Sequence, residues 1–219
     1  MAKSSAARKL DETISAVEVR RPGFGGGDPP PVQPNPPVLN NAHLAVLMLL
    51  GAEVMFFAGL IGAFLVFRLS AVVWPPPFQP RLPVEMTGVN TAILLASAVT
   101  MHLAIRAVRT GAVATLIRQL TITALLGSLF LVIQGYEWIR LIHFGLTASS
   151  SVYGGLFYAL IGAHGVHVLC GLIWLSLVRM QARRGRFSKM RYVGVQTSGM
   201  YWTFVVALWP VLYGLVYLY

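Results

Sequence analysis

Five apolar runs, roughly 44–73, 87–108, 116–142, 152–178 and 197–218, take up most of this 219-residue chain beyond residue 42. Each holds at least the ~20 residues a helix needs to cross about 30 Å of hydrocarbon. In lipid every backbone polar group must be satisfied within the protein, which leaves helices or closed barrels. Barrel strands alternate apolar and polar residues over about ten positions, whereas these runs are continuous. The expected fold is therefore all-α, an integral membrane bundle of five transmembrane helices. Composition agrees: 11% of residues are charged and mean hydropathy is +0.69, against about 25% charged residues in soluble domains.

Residues 1–41 differ in kind. They are polar, then glycine-rich at Gly25-Gly26-Gly27, then proline-rich from Pro29 to Pro37. So little apolar surface, and so many fixed φ angles, predict a disordered or extended arm ahead of a transmembrane domain at 42–219. No apolar stretch separates Lys3, Arg8 and Lys9 from the prolines, so a cleaved secretory signal is not expected. Trp74-Pro75-Pro76-Pro77 reads as a stiff interfacial turn.

The net charge of +10 could suggest nucleic acid. The basic residues, however, lie between the apolar runs, where they set membrane orientation, so no nucleic-acid partner is expected. Arg106, Arg109 and Arg118 flank the second connection, and Arg179, Arg183, Arg184, Arg186, Lys189 and Arg191 the fourth. Only Arg68, Arg81 and Arg140 mark the opposite side. This places the N-terminus in the cytoplasm and the C-terminus outside. Cys170 is the sole cysteine, so no disulfide forms within the chain, and its expected role is packing.

Small residues suggest packing faces. Gly155, Ala159 and Ala163 recur every four residues before His167; Ala58 and Gly62, with Gly59 beside them, mark the first helix.

Polar residues within the runs are the candidate site residues, because a charge at mid-bilayer costs roughly 2.5–3.5 kcal/mol on insertion scales. Glu53 lies about 13–14 Å into the first run, near the midplane. A neutral acid, hydrogen-bonded to another helix, avoids most of that cost. His164 and His167, three apart, share a helical face. Metal or haem ligation by that pair is disfavoured because no second ligand cluster stands at their height, so no metal is expected. Hydrogen bonding to neighbouring helices is the preferred reading. Glu137 precedes Arg140 by three residues, as either an ion pair or a hydrogen-bonded anchor. No phosphate-cradling loop, dinucleotide fingerprint or nucleophile elbow is present, so no catalytic residue is expected in this chain. A stand-alone proton-coupled transporter using Glu53 is a competing reading, although no internal repeat supports it.

Several stretches together resemble the subunit III family of haem–copper oxidases, of cytochrome c oxidase type. Ala52-Glu53-Val54-Met55-Phe56-Phe57-Ala58-Gly59 is similar to its S-E-V-M-F-F-x-G motif, and Asn90-Thr91-Ala92-Ile93-Leu94-Leu95-Ala96-Ser97 to N-T-x-x-L-L-x-S. Tyr136-Glu137-Trp138, Val152-Tyr153-Gly154-Gly155-Leu156-Phe157, the Gly162–Gly171 segment G-A-H-G-V-H-V-L-C-G and Tyr201-Trp202-Thr203-Phe204-Val205 follow in the family's order. Thr203 and Val206 depart from it, standing where the family has histidine and aspartate, so contacts made through those two are not carried over. Pro210 is expected to kink this helix.

The resemblance implies a non-catalytic subunit in the family's short five-helix form. Such a subunit packs against subunit I, within a complex that includes subunit II. It holds phospholipid and supports oxygen access, proton uptake and stability. Haem and copper are expected in subunit I, with copper in subunit II, and no cofactor in this chain. The implied location is the inner membrane of a bacterium. Glu53 would be the buried acid of the first helix, His164 and His167 the polar cross-links of the fourth, and Asn90 and Glu137 further buried polar groups. A quinol oxidase, or a nitric-oxide-reductase-associated homologue, would carry the same pattern.

Overall fold

The computed structural model describes residues 40–76 and 83–218. The expected N-terminal arm, apart from Asn40 and Asn41, lies outside these residues, as does Arg81. Among the described residues, five helices are long and apolar enough to cross a membrane: α1 (Asn41–Ser70), α2 (Val84–Thr110), α3 (Val113–His143), α4 (Val152–Arg183) and α5 (Val193–Tyr213). Alpha5 continues through a π turn at Gly214–Leu218.

The helix ends are set by local chemistry rather than by where hydropathy fades. Asn40 caps α1 by accepting from the Ala42 amide, so the helix begins three residues before its apolar run. Ser151 caps α4 in the same way through the Gly154 amide. Alpha2 ends at Gly111, whose φ of 82° suits a residue without Cβ. That turn returns the chain within two residues and makes α2 and α3 an antiparallel hairpin. Their contact is the most extensive in the molecule.

Alpha5 occupies the centre, packing on α2, α4 and α1. Its buried face carries Trp202, Val205, Val206, Trp209 and Leu212. The two indoles, seven residues apart, donate to two hydroxyls on the antiparallel α2. Trp202 Nε1 reaches Ser97 Oγ at 3.1 Å and Trp209 Nε1 reaches Thr91 Oγ1 at 2.8 Å. Polar groups thus pin the register of helices whose apolar surfaces gain little by leaving lipid. Alpha1 is peripheral, for only Val46, Phe57 and Phe64 of its 30 residues are buried.

The glycines that permit close approach are not those chosen from spacing. A Cβ at Gly127 of α3 would stand 2.5 Å from Trp202, and one at Gly171 of α4 would stand 2.9 Å from it. These two glycines therefore seat the α5 indole between α3 and α4. A Cβ at Gly59 or Gly62 meets nothing within 4 Å, and Ala159 is exposed. Gly155 abuts the Ala148 carbonyl of the preceding connection instead of another helix. A four-residue repeat selects one face of a helix but carries no information about which face meets a neighbour.

Candidate functional site

Glu53 of α1 and His167 of α4 meet near mid-height of their helices. Their Oε2 and Nε2 atoms are 2.7 Å apart, and both side chains are mostly shielded. His167 Nδ1 is 2.7 Å from the Ala163 carbonyl one turn earlier. A carbonyl can only accept, so Nδ1 carries a proton. Nε2 then either accepts from a protonated Glu53 or donates to a carboxylate. In both cases one proton lies between the two atoms and the pair has no net charge. The rings of Phe56 and Phe57 flank the imidazole at 5.8 and 5.0 Å. A neutral, proton-sharing pair is thus held in an apolar seam, where a lone charge would be costly.

His164 does not cross-link helices by hydrogen bonding as expected. It is fully buried, and neither ring nitrogen has a hydrogen-bond partner among the described residues. Instead it stacks on Trp209 at 4.9 Å and 27°, with the Phe130 ring edge-on at 6.2 Å. Three residues of helical rotation turn it into the core while His167 faces α1. Val206, at the family's aspartate position, is buried with Trp209 on the same α5 face, and Thr203 is only half-buried.

A second polar cluster lies toward the end of the bundle where α3 finishes. Glu137 is buried and its Oε2 accepts from Thr87 of α2 at 3.0 Å and from Gln134 Nε2 at 3.3 Å. Gln134 Nε2 also reaches the Tyr217 hydroxyl, at 3.3 Å, in the π turn. Glu137 is therefore a hydrogen-bonded anchor joining α2, α3 and the end of α5. It makes no ion pair with Arg140, whose guanidinium lies 6.0 Å over the Tyr136 ring. Asn90, also buried, donates to the Phe130 carbonyl at 3.2 Å and ties α2 to α3. Arg68 donates to the Leu215 carbonyl at 3.0 Å, and His43 meets Gln196 at 3.2 Å, so the two ends of α1 are tied to α5 and to the π turn that continues it.

Sequence reasoning missed Thr87, Gln134, Tyr217 and Trp209. The spacing of Gln134 and Glu137 on one helical face was available as a signal. The Thr87 and Tyr217 contacts cross 50 and 83 residues of sequence and had none. Among the described residues, no three His, Cys, Asp or Glu side chains gather as metal ligands.

Glu53 with His167, Glu137 with Thr87, and Asn90 with the Phe130 carbonyl thus each join two helices. Comparison with known proteins agrees with the motifs that surround them: residues 33–219 match the family model described as cytochrome c oxidase subunit III. The chain belongs to that family. Cytochrome c oxidase subunit 3 of Synechocystis sp. is 38% identical over 174 residues, covering 79% of this chain and 73% of the relative. A Nocardia farcinica protein named "Probable cytochrome c oxidase subunit 3" is 34% identical over 178 residues, 81% of this chain and 88% of its own length. Cytochrome c oxidase subunit 3 of Pelomedusa subrufa is 32% identical over 205 residues, 91% of this chain and 75% of its own. A multi-pass membrane subunit III accounts for all five apolar runs.

Proposed function

We propose that this chain is a non-catalytic subunit of a respiratory haem–copper oxidase of cytochrome c oxidase type, seated beside subunit I in a bacterial inner membrane. In this reading it binds phospholipid and supports oxygen access, proton uptake and the stability of the complex. Haem and copper belong to subunits I and II, with the N-terminus of this chain in the cytoplasm.

The observation that carries the reading is how the buried polar groups are used. Glu53 is joined to His167, Glu137 to Thr87 and Gln134, and Asn90 to a backbone carbonyl. The Glu53, Asn90 and Thr87 contacts link helices, the Gln134 contact lies within α3, and none pairs a nucleophile with a base. The exposed apolar length of α1, including Leu47, Met48, Met55, Phe67 and Leu69, offers a surface for lipid or a partner subunit.

Affinity purification of the tagged chain from mild detergent tests this. The expected result is co-isolation with haem-bearing subunits and their Soret band. A chain that purifies alone, or that carries haem or copper itself, would overturn the reading.

A further inference from the structure

Glu137 has 2% of its surface exposed, and among the described residues it makes no ion pair. Arg140, the cation one turn on, is exposed and lies over the Tyr136 ring instead. An ionised carboxylate would hold an uncompensated charge six residues before the end of α3, about 9 Å along the helix. The hydrogen bonds around it point to a different state. Thr87 Oγ1 stands 3.0 Å from Glu137 Oε2 and 2.9 Å from the Pro83 carbonyl. Two oxygens this close need a hydrogen between them, and the threonine hydroxyl has one for the two contacts. The Pro83 carbonyl can only accept, so its hydrogen comes from Thr87. The contact with Oε2 can instead be served by a proton on the acid. The other buried hydroxyls of α2 are used in this sense. Thr91 donates to the Thr87 carbonyl and accepts from Trp209 Nε1, and Ser97 donates to the Leu94 carbonyl and accepts from Trp202 Nε1. In both, the hydrogen returns to its own helix and the oxygen faces a donor on the neighbouring one.

We propose that Glu137 is a proton-binding site, a carboxylic acid kept neutral at neutral pH that donates from Oε2 to Thr87 Oγ1 while Thr87 donates to the Pro83 carbonyl. The contact then runs from α3 to α2, the reverse of its direction beside a carboxylate. Glu137 Oε1 has no hydrogen-bond partner. As the carbonyl oxygen of a neutral acid it strands one acceptor, whereas as half of a carboxylate it would strand charge, which costs more. Gln134 Nε2, at 3.3 Å, still donates to Oε2, because a hydroxyl oxygen accepts as well as donates. The titratable groups on the neighbouring elements are Glu85, exposed at the start of α2, Tyr153 of α4, and Tyr217 of the π turn, which meets the acid through Gln134. Arg68 of α1 donates to the Leu215 carbonyl of that turn. The site thus holds a proton within the bundle at no net charge. Losing that proton would oblige Thr87 to turn its hydrogen from Pro83 to Oε2, and the first turn of α2 would lose a bond.

Infrared spectroscopy of the full chain in lipid nanodiscs tests this at neutral pH, where an exposed glutamate is ionised. Subtracting the Glu137→Gln spectrum from that of the unaltered protein is expected to leave a protonated-carboxyl band and no carboxylate band. Thr87→Val nearly keeps the side-chain shape and removes the acceptor, so that band is expected to move to higher frequency. This second variant leaves Glu137 in place and reads its state even where Glu137→Gln folds poorly. Carboxylate bands in the first difference spectrum would overturn the proposal. So would a Thr87→Val difference confined to the carboxylate region, or one without change in the protonated-carboxyl region.

Discussion

Replacing Glu53 discriminates between a shared proton and a fixed charge at the α1–α4 seam. Because His167 Nδ1 is engaged with the Ala163 carbonyl, Nε2 is free to accept when the imidazole is neutral. Glu53→Gln can supply the missing donor through its amide and is expected to lose less than about 1 kcal/mol. Glu53→Ala leaves Nε2 without a partner beside Phe56 and Phe57, at about 1–2 kcal/mol. Interhelical hydrogen bonds in membranes average about 0.6 kcal/mol and reach about 1.7, so the Glu53–His167 coupling is expected in the upper part of that range. A penalty of that size matters because so little of α1 is buried. Glu53→Leu with His167→Phe removes both polar groups and is expected to regain most of the loss. SDS-driven unfolding in micelles, read by tryptophan fluorescence, compares these variants and, with Glu53→Leu and His167→Phe made singly, closes a double-mutant cycle. A Gln variant as damaged as the Ala variant would refute the shared-proton reasoning, and so would strictly additive single substitutions.

Three further outcomes follow from the packing. Gly171→Leu is expected to displace the Trp202 ring, since a Cβ there already comes within 2.9 Å of it, and to lower stability by about 1–3 kcal/mol through overpacking. The readout is a reduced yield of folded protein with a shifted tryptophan emission. Glu137→Leu removes the carboxyl oxygen shared by Thr87 and Gln134, which keep the Pro83 carbonyl and the Tyr217 hydroxyl as partners, and is expected to lose about 1 kcal/mol, while Glu137→Gln loses less; thermal unfolding of the detergent-solubilised protein checks the order. Trp209→Phe removes the 2.8 Å bond to Thr91 and part of the stacking on His164, an expected loss of about 1–2 kcal/mol. Thr91→Val should weaken the protein by less than Trp209→Phe, and unfolding of the pair of variants compares them.

Much of the fold was legible because lipid imposes a simple length rule. All five runs became helices, with ends moved by the Asn40 cap and by the αL glycine at Gly111, while the Ser151 cap coincides with the start of its run. Alpha4 ran on to Arg183, five residues beyond its apolar stretch, because helical geometry continues wherever the backbone bonds are satisfied. Glu53 and His167 were both marked as polar groups in apolar surroundings, but nothing in their spacing showed that they face each other. His164 carried the same signal and found no polar partner. The difference lies in the helical rotation of α4 against α1 and α5, which depends on packing between segments far apart in sequence.

The amino-acid order alone therefore determined the number of spans, their approximate limits, the family and the polar positions to be explained. These are local quantities, governed by transfer into hydrocarbon and by short motifs. Only the tertiary structure decided which glycines seat an indole, which histidine shares a proton with Glu53, and that Thr87 meets Glu137. Those depend on how each helix is rotated and placed against its neighbours. Lipid drives helices into the membrane but exerts little preference among their faces, so that choice rests on close contact and on a small number of interhelical hydrogen bonds.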